Sequence, residues 1–360
     1  MIAAASCLPT AVPEAAFRKP EGVLAIVCPG QGAQTPGLLS PWLELPGLSD
    51  HLARLAEACG VDLLRHGTVS DAETIRDTAV AQPLIVACGL LALGELFPDR
   101  TAGALVDPDR VVALGGHSVG EITATAAAGV LDETTAMRFV GVRGREMAAA
   151  ATVTATGMSA VLGGDAAEVT AVLEREGLTP ANVNGAGQVV AAGTLDQLAA
   201  LTASPPARAR VIPLQVAGAF HTVHMAPAVA ALAREAALAA PRDPEVRLLS
   251  NADGTAVDDG TEVMRRLVAQ VSNPVRWDLC IETLAALGTT AILELPPAGT
   301  LANLAKRAMR GVQVVALRTP DDLEAARALV TEHANGPTTA ADGEAGTPLV
   351  DRTGRQGGQA

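Results

Sequence analysis

The sequence predicts an α/β fold in which a small ferredoxin-like subdomain is inserted into a parallel-sheet core. Strand and helix patterns alternate over residues 22–152 and again over residues 219–333, as they do in parallel sheets. Between them, residues 153–218 hold short strand and helix patterns in close succession. With 360 residues, 49% of them hydrophobic, the chain is large enough to bury such a core.

The first element is a strand over residues 23–27, which is followed directly by a loop with Gly30 and Gly32. Two glycines beside a strand end allow main-chain N–H groups to approach a ligand closely. One hypothesis is half of an oxyanion hole, completed by the N–H of Val119. The alternative, a phosphate-binding loop, lacks the Gly-Lys-Ser/Thr sequence, and the chain has only two lysines.

Three elements follow in order. The longest apolar run, residues 84–94, is too short to span a bilayer, so it predicts a buried core helix. A short apolar segment, residues 111–114, predicts a buried strand. An alanine-rich segment, residues 122–131, predicts a helix.

Between this strand and this helix lies Gly116-x-Ser118-x-Gly120, the pattern of a nucleophile elbow. The glycines allow a sharp turn, so the Ser118 hydroxyl projects from it with the helix N-terminus behind. The flanking strand and helix are the context in which such a serine attacks an acyl group. We therefore predict a nucleophile here, and not a surface serine on a glycine-rich turn.

The inserted segment has its own strand and helix patterns. Three strands and two helices are predicted, the strands at residues 157–162, 188–192 and 210–215 and the helices at 166–176 and 195–201. This pattern fits a ferredoxin-like subdomain. Because it separates Ser118 from the candidate base described next, the site is predicted to lie in a cleft between two subdomains.

A serine nucleophile needs a base, and the chain has six histidines. His221 follows the last strand of the insert and precedes a predicted helix, and residues at strand ends commonly build α/β active sites. His224 has a spacing that is also compatible with this role. His117 is adjacent to Ser118 and is expected to point away from it.

An acid that would orient this histidine is harder to identify. No Asp or Glu stands in an obvious loop shortly before His221. A backbone carbonyl or an amide can hold the imidazole tautomer instead, and Gln270 is a candidate. The sequence therefore favours a Ser–His dyad over a full triad.

Composition excludes several classes of function. The net charge of −13 and the aromatic content of 2%, without tyrosine, argue against nucleic-acid binding. Five scattered cysteines without a Cys-x-x-Cys pair favour reduced thiols, and neither disulfides nor a metal site. Residues 1–21 lack the pattern of a signal peptide, so we predict a cytoplasmic protein with disordered ends at residues 1–21 and 334–360.

Seven motifs follow one another along the chain: Pro29-Gly30-Gln31-Gly32-Ala33-Gln34, Gly116-His117-Ser118-Val119-Gly120-Glu121, Val142-Arg143-Gly144 with Met147, Asn182-Val183-Asn184-Gly185-Ala186-Gly187-Gln188, Gly218-Ala219-Phe220-His221, Ser250-Asn251-Ala252-Asp253 and Asn273-Pro274-Val275-Arg276-Trp277. In this order and at these spacings, the chain resembles the malonyl-CoA:acyl carrier protein transacylases, acyltransferases of fatty-acid and polyketide synthesis. The resemblance covers roughly residues 22–333. It implies an α/β-hydrolase-like core.

The resemblance also implies catalytic roles. Ser118 would carry the acyl group as an ester, and His221 would act first as general base and then as general acid. The N–H groups of Gln31 and Val119 would form the oxyanion hole. Gln270 would help to fix the histidine.

The same resemblance implies substrate-binding residues. Arg143 would bind the malonyl carboxylate, and a planar guanidinium suits this task because it donates two parallel hydrogen bonds. Gln82 would line the pocket, while Asn182 and Asn184 would border the thioester channel. A turn resembling Gly-Pro-Gly is usual in the family, but this chain has Pro296-Pro297-Ala298, which is expected to alter a loop at the rim of the site.

The implied reaction moves a malonyl group from malonyl-CoA, a substrate and not a cofactor, to an acyl carrier protein. We expect no cofactor, no nucleic-acid or membrane partner, and a monomer. One alternative is a trans-acting acyltransferase of a polyketide pathway that uses a substituted malonyl unit. Another is an acyl-thioester hydrolase on the same fold. The presence of both Ser118 and His221 weighs against a non-catalytic carrier-binding module.

Overall fold

The computed structural model describes residues 22–99 and 103–333, so the predicted disordered ends at residues 1–21 and 334–360 lie outside the described residues. Strands in the described part are β1 (Leu24–Cys28), β2 (Ala113–Gly116), β3 (Thr156–Gly163), β4 (Thr179–Gly185), β5 (Gln188–Thr194), β6 (Ala209–Pro213), β7 (Leu248–Leu249), β8 (Ala256–Val257), β9 (Val275–Arg276), β10 (Ala291–Glu294) and β11 (Gln313–Ala316). Helices there are α1 (Leu48–Cys59), α2 (Leu63–Thr68), α3 (Thr78–Leu96), α4 (Gly120–Ala127), α5 (Glu133–Ala151), α6 (Ala166–Arg175), α7 (Leu195–Ala203), α8 (Ala226–Leu238), α9 (Gly260–Gln270), α10 (Trp277–Ala286), α11 (Thr300–Ala308) and α12 (Leu323–Glu332).

The larger sheet has the strand order β11-β10-β1-β2-β7-β8. Its first five strands run parallel, and only the edge strand β8 pairs in the antiparallel direction. The predicted α/β class with a parallel core sheet is therefore confirmed.

Strand β1 shows why this sheet is buried on both faces. Its residues alternate between two hydrophobic clusters, with Leu24, Ile26 and Cys28 in one and Ala25 and Val27 in the other. Helices cover both faces of a parallel sheet, so its central strands are apolar throughout. This explains the uninterrupted apolar run from which the strand was predicted.

The smaller sheet has the order β6-β3-β5-β4-β9. Its first four strands and the helices α6 and α7 follow the chain as β-α-β-β-α-β, the ferredoxin-like arrangement. Strand β4 was missed by the sequence prediction, because Pro180, Asn182 and Asn184 interrupt its apolar pattern. It is stabilised by antiparallel pairing with β5 and by parallel pairing with β9, which comes from the second half of the core.

Helix α3 is longer than the apolar run that predicted it. It begins after Asp77, whose carboxylate accepts a hydrogen bond from Ala79 N, and such a cap starts a helix before the apolar stretch. Among the described residues, only α3 is long and apolar enough to cross a membrane, and 78% of its most apolar window is buried in the fold. That burial is typical of a core helix.

The elements on either side of Ser118 differ from their predicted bounds: the strand ends two residues later and the helix begins two residues earlier than predicted. Strand β2 ends at Gly116 and α4 begins at Gly120, because Gly115 and Gly116 pair in register with Val27 and Cys28 of β1. Glycine has no side chain to signal a strand, so an apolar pattern cannot detect this extension.

Four neighbouring strands of the larger sheet, β10, β1, β2 and β7, point their carboxyl ends at one edge. The loops after β1, β2 and β7 carry Gln31, Ser118 and Asn251, respectively. Ligands bind at this edge in parallel α/β sheets. Strand order therefore brings together three segments that are distant in sequence.

Candidate active site

Ser118 occupies a tight turn between β2 and α4, with a φ angle of 55°. A positive φ is uncommon for residues other than glycine, and it is held here by close packing. A Cβ atom on Gly116 would lie 2.0 Å from the Gly120 carbonyl carbon, and one on Gly120 would lie 2.1 Å from the Cys28 carbonyl oxygen. Both glycines are thus required by close backbone approach, as in a nucleophile elbow.

The Ser118 hydroxyl lies next to His221. The distance from Ser118 Oγ to His221 Nε2 is 2.7 Å, and His221 Nδ1 lies 2.8 Å from the main-chain oxygen of Gln270. A carbonyl oxygen can only accept a hydrogen bond, so Nδ1 carries the proton and Nε2 presents its lone pair to the serine. The imidazole is only 3% exposed. Burial, with a contribution from the Arg143 charge, lowers the pKa of His221 to about 3.

Gln270 orients the histidine through its main chain, which is one of the two possibilities that the sequence left open. Its side chain acts elsewhere: Oε1 accepts from Arg143 Nη2 at 2.8 Å, and Nε2 donates to the Ser118 carbonyl at 3.2 Å and to Glu121. His224 is partly exposed and does not line the cavity at Ser118. The structure thus brings His221, and not His224, to the serine.

Arg143 projects from α5 and is only 1% exposed, although the neighbouring Arg145 is exposed. Its Nη1 donates to Gln82 Oε1 at 2.7 Å, and its Nη2 lies 3.3 Å from Ser118 Oγ. Burial lowers the pKa of Arg143 to about 10, and the nearby Glu121 carboxyl opposes the shift. The guanidinium therefore stays charged at neutral pH, directly beside the serine hydroxyl.

The predicted oxyanion hole consists of the main-chain N–H groups of Gln31 and Val119. Gln31 and Val119 both line the cavity at Ser118. Within residues 22–99 and 103–333, neither main-chain N–H has a hydrogen-bond partner. Donors that are pre-positioned and unpaired suit a developing oxyanion.

The cavity has a volume of about 240 Å³. It is lined by all the predicted site residues other than Gln270, that is, by Gln31, Gln82, Ser118, Val119, Arg143, Asn182, Asn184 and His221. Asn182 and Asn184 reach it from β4, the strand that the sequence did not locate. The small sheet therefore supplies one wall of this cavity, and the core supplies Ser118.

Three residues at the site had no role in the sequence prediction. Asn251 holds the elbow: its Oδ1 accepts from Ser118 N at 2.8 Å and its Nδ2 donates to Gly116 O at 2.7 Å. His117 lines the cavity wall and hydrogen-bonds to Asn184 at 2.9 Å. Glu121 is buried on α4 behind the serine. All three residues lie within the motifs quoted above, and this was the only feature of the sequence that could have indicated a role at the site.

The segment Pro296-Pro297-Ala298, which stands where the family resemblance predicts a Gly-Pro-Gly-like turn, precedes α11. Thr300, Leu301 and Leu304 of this helix line the cavity. The buried Glu294 side chain accepts hydrogen bonds from Gly299 N, Leu301 N and Ala302 N, which caps this helix. The altered turn therefore lies at the rim, and it leaves α11 anchored.

Comparison with known proteins shows the family of this chain. Residues 25–335 match the family model of the acyl transferase domain. The malonyl CoA-acyl carrier protein transacylase of Mycobacterium bovis is 52% identical over 302 residues, which cover 84% of this chain and 98% of that protein.

Two solved structures are similar as well. The MCAT of Mycobacterium tuberculosis is 50% identical with a TM-score of 0.79, covering 84% of this chain and 99% of that one. A type II PKS acyl-carrier protein in complex with its malonyl-transacylase gives a TM-score of 0.77 at 26% identity, covering 85% of this chain and 99% of that one. The chain therefore belongs to the acyl transferase domain family and, within it, to the malonyl-CoA:acyl carrier protein transacylases.

Proposed function

We propose that this protein transfers a malonyl group from malonyl-CoA to the phosphopantetheine thiol of an acyl carrier protein, through a malonyl ester on Ser118. The names of its relatives support both substrates. The observation that carries the proposal is the Arg143 guanidinium, which is buried beside the Ser118 hydroxyl.

A buried guanidinium with neutral partners calls for an anion. Within the described residues, Arg143 hydrogen-bonds to Gln82, Gln270 and Ser118, none of which carries a charge. Leaving a charge buried without direct compensation is costly, and a carboxylate compensates it with two parallel hydrogen bonds. A malonyl thioester carries such a carboxylate two bonds from its reacting carbonyl. The cavity therefore favours malonyl over a neutral acyl group.

In the first half-reaction, Ser118 Oγ attacks the thioester carbonyl while its proton moves to His221 Nε2. The carbonyl electron pair moves onto oxygen, where the N–H groups of Gln31 and Val119 stabilise the charge. Collapse of this intermediate breaks the carbon–sulfur bond. The leaving coenzyme A sulfur takes the proton from Nε2, and malonyl-Ser118 remains.

In the second half-reaction, the phosphopantetheine thiol gives its proton to His221 and attacks the ester. Collapse returns the proton to Ser118 Oγ and releases the malonyl thioester of the carrier. Asn182 and Asn184 border the way to the serine and are suited to contact the polar pantetheine arm. Gln82 holds Arg143 and lines the pocket for the acyl group.

Replacing His221 with alanine is expected to slow both half-reactions by roughly 10²–10⁴-fold, because general acid–base catalysis contributes about this much. His224→Ala is the matched control, since this side chain lies outside the cavity. Rapid-quench measurement of acylation and of transfer separates the two steps. Damage confined to the His224 variant would show that the base is misassigned.

The acylation rate is expected to change by less than about twofold between pH 7 and pH 5.5. The base must be unprotonated, and burial lowers the pKa of His221 to about 3, so its neutral form persists through this range. A histidine with an ordinary pKa of about 6.5 would be only about one-tenth neutral at pH 5.5. Single-turnover rates across this range are the measurement, and a decline of about eightfold, as an ordinary histidine would give, would contradict the buried, neutral imidazole.

The two alternatives receive less support. A hydrolase that clears neutral acyl groups gains nothing from a guanidinium in the acyl pocket. A substituted malonyl unit keeps the carboxylate and is thus compatible with Arg143, and competition between malonyl-CoA and substituted malonyl-CoAs measures the preference. We also propose a monomeric cytoplasmic enzyme that needs no cofactor, which sedimentation and activity after exhaustive dialysis would test.

Intact-mass analysis in two stages tests the proposed function. Incubation with malonyl-CoA alone is expected to add one malonyl group to the protein. Addition of a carrier protein bearing phosphopantetheine is then expected to remove this group and to add it to the carrier. Release of free malonate without any carrier adduct would instead indicate hydrolysis.

A further inference from the structure

Glu121 is a carboxylate at the back of the site that the proposed mechanism does not use. It lies on α4, three residues after Ser118, and is only 5% exposed. Its Oε1 accepts a hydrogen bond from Asn251 N, and its Oε2 accepts one from Gln270 Nε2. Both oxygens therefore face N–H donors, and no ion pair within hydrogen-bond distance satisfies either one in the described part of the chain.

The Gln270 amide stands between this carboxylate and Arg143. Its Nε2 donates to Glu121, and its Oε1 accepts from Arg143 Nη2 at 2.8 Å. An amide has one donor end and one acceptor end. The partner at one end therefore decides which atom the other end presents. With Glu121 accepting, the amide oxygen must face the guanidinium.

We propose that Glu121 is a positioning residue for substrate selection: its carboxylate sets the orientation of the Gln270 amide, which in turn holds Arg143 facing the acyl pocket. This inference rests on the proposed function, because it concerns recognition of the substrate carboxylate. Glu121 itself lines no part of the cavity at Ser118. It acts through Gln270.

Only a carboxylate can satisfy both neighbours of this position. A glutamine there has one acceptor oxygen, and its NH₂ group would face either Asn251 N–H or Gln270 Nε2, both of which are donors. One relief is rotation of the Gln270 amide, which also gives up the longer Nε2 hydrogen bonds to Ser118 O at 3.2 Å and to Asn251 Oδ1 at 3.3 Å. Rotation would turn its Nε2 toward the Arg143 guanidinium, where two donors meet and the hydrogen bond is lost.

Opposing influences act on the charge of Glu121. Burial raises its pKa to about 8, which favours the neutral acid, while the Asn251 N–H, the Arg143 charge, the Gln270 amide and the Arg266 charge favour the carboxylate that the two donors require. Glu121 in turn raises the pKa of Arg143 against the effect of burial. The two groups support each other's charge across the neutral amide of Gln270. Removing one member of a buried hydrogen-bond network costs more free energy than removing one partner of an exposed pair.

The experiment measures kcat/KM for malonyl-CoA and for acetyl-CoA on the full-length chain, with transfer to a carrier protein as the readout. Glu121→Gln is expected to lower the malonyl-to-acetyl ratio by about tenfold or more, since a charge-assisted hydrogen bond to Arg143 is lost. Both substrates are measured on the same preparation, so a smaller fraction of folded protein cancels from the ratio. Glu121→Asp keeps two acceptor oxygens and is expected to retain more of the ratio.

A double-mutant cycle with Gln270→Ala tests whether Glu121 acts through Gln270. The combined variant is expected to have a ratio no lower than that of Gln270→Ala alone, whereas independent effects would add. Glu262→Gln is the matched control, because this glutamate lies on the same helix as Gln270, is not among the residues that line the cavity, and bonds to the exposed Arg265 and the half-buried Arg266. Its ratio is expected to stay near that of the wild type.

The outcomes separate the two proposals. A wild-type protein without preference for malonyl-CoA would overturn the proposed function, and this inference with it. A wild-type preference that Glu121→Gln leaves unchanged would overturn this inference alone. Additive losses in the cycle, or a lower ratio for Glu121→Asp than for Glu121→Gln, would do the same.

Discussion

The Ser118→Ala variant is expected to take up no malonyl group from malonyl-CoA and to lose transfer activity by on the order of 10⁴-fold or more. Transfer between two thiols through a covalent ester requires the hydroxyl that this change removes. His221, 2.7 Å from Oγ in the unaltered protein, would then have no proton to accept. Intact-mass analysis after mixing with malonyl-CoA measures the adduct directly, and a carrier-protein assay measures transfer.

Ser272→Ala is a suitable control for this experiment. Ser272 follows Val271, whose carbonyl accepts from His221 N. Within the described ranges, the Ser272 hydroxyl bonds to Ala269 O and Asn273 Nδ2, and Ser272 is not among the residues that line the cavity. This variant is expected to form the adduct as the wild type does. A malonyl adduct that persists in Ser118→Ala would place the nucleophile elsewhere and remove the basis of the proposed mechanism.

Arg143→Ala is expected to reverse the substrate preference, so that malonyl-CoA is lost and acetyl-CoA is retained or gained. The malonyl carboxylate loses two charged hydrogen bonds of roughly 1.5–3 kcal/mol each, which together correspond to about 10²–10⁴-fold in kcat/KM. A neutral acyl group gains, because it no longer leaves a buried guanidinium without a counter-charge in direct contact. The ratio of kcat/KM for the two substrates is the measurement.

Arg145→Ala provides the control for this change. Arg145 lies two residues further along α5, is exposed, donates a hydrogen bond to Cys59 O at 3.4 Å, and is not among the residues that line the cavity. Its removal is expected to leave the ratio near the wild-type value. If Arg143→Ala also leaves the ratio unchanged, the carboxylate is bound elsewhere, and the malonyl assignment rests on family membership alone.

Several features of this protein could be predicted because their causes are local. The elbow at Ser118 needs glycines two residues to each side, and the strand before it and the helix after it are visible in apolar patterns. Strands β1, β3 and β5 and helices α6, α7 and α8 were located to within a few residues for the same reason. Strand β4 was not, because its polar residues face the cavity and no apolar pattern marks it.

Local sequence patterns could not show which of several residues of the same type lies at the site. The sequence presented Arg138, Arg143 and Arg145 on one helix, and only packing buries the second of them against α3 and the serine. Likewise, His221 and His224 are equally compatible with the spacing. In the structure, the main-chain N–H of His221 donates to Val271 O, and the His221 ring lies beside Ser118.

The sequence by itself determined the fold class, the candidate nucleophile and the family, because each is specified by patterns of a few consecutive residues or by their order. The tertiary structure alone decided which histidine, which arginine and which atoms of Gln270 serve the site, and it alone placed Glu121 and Asn251 behind the serine. The physical reason is distance along the chain. Gln270 and Asn251 lie 149 and 130 residues from Glu121 and bond to it only after the strands and helices have packed. Burial and hydrogen-bond partners are properties of that packing, which no local pattern encodes.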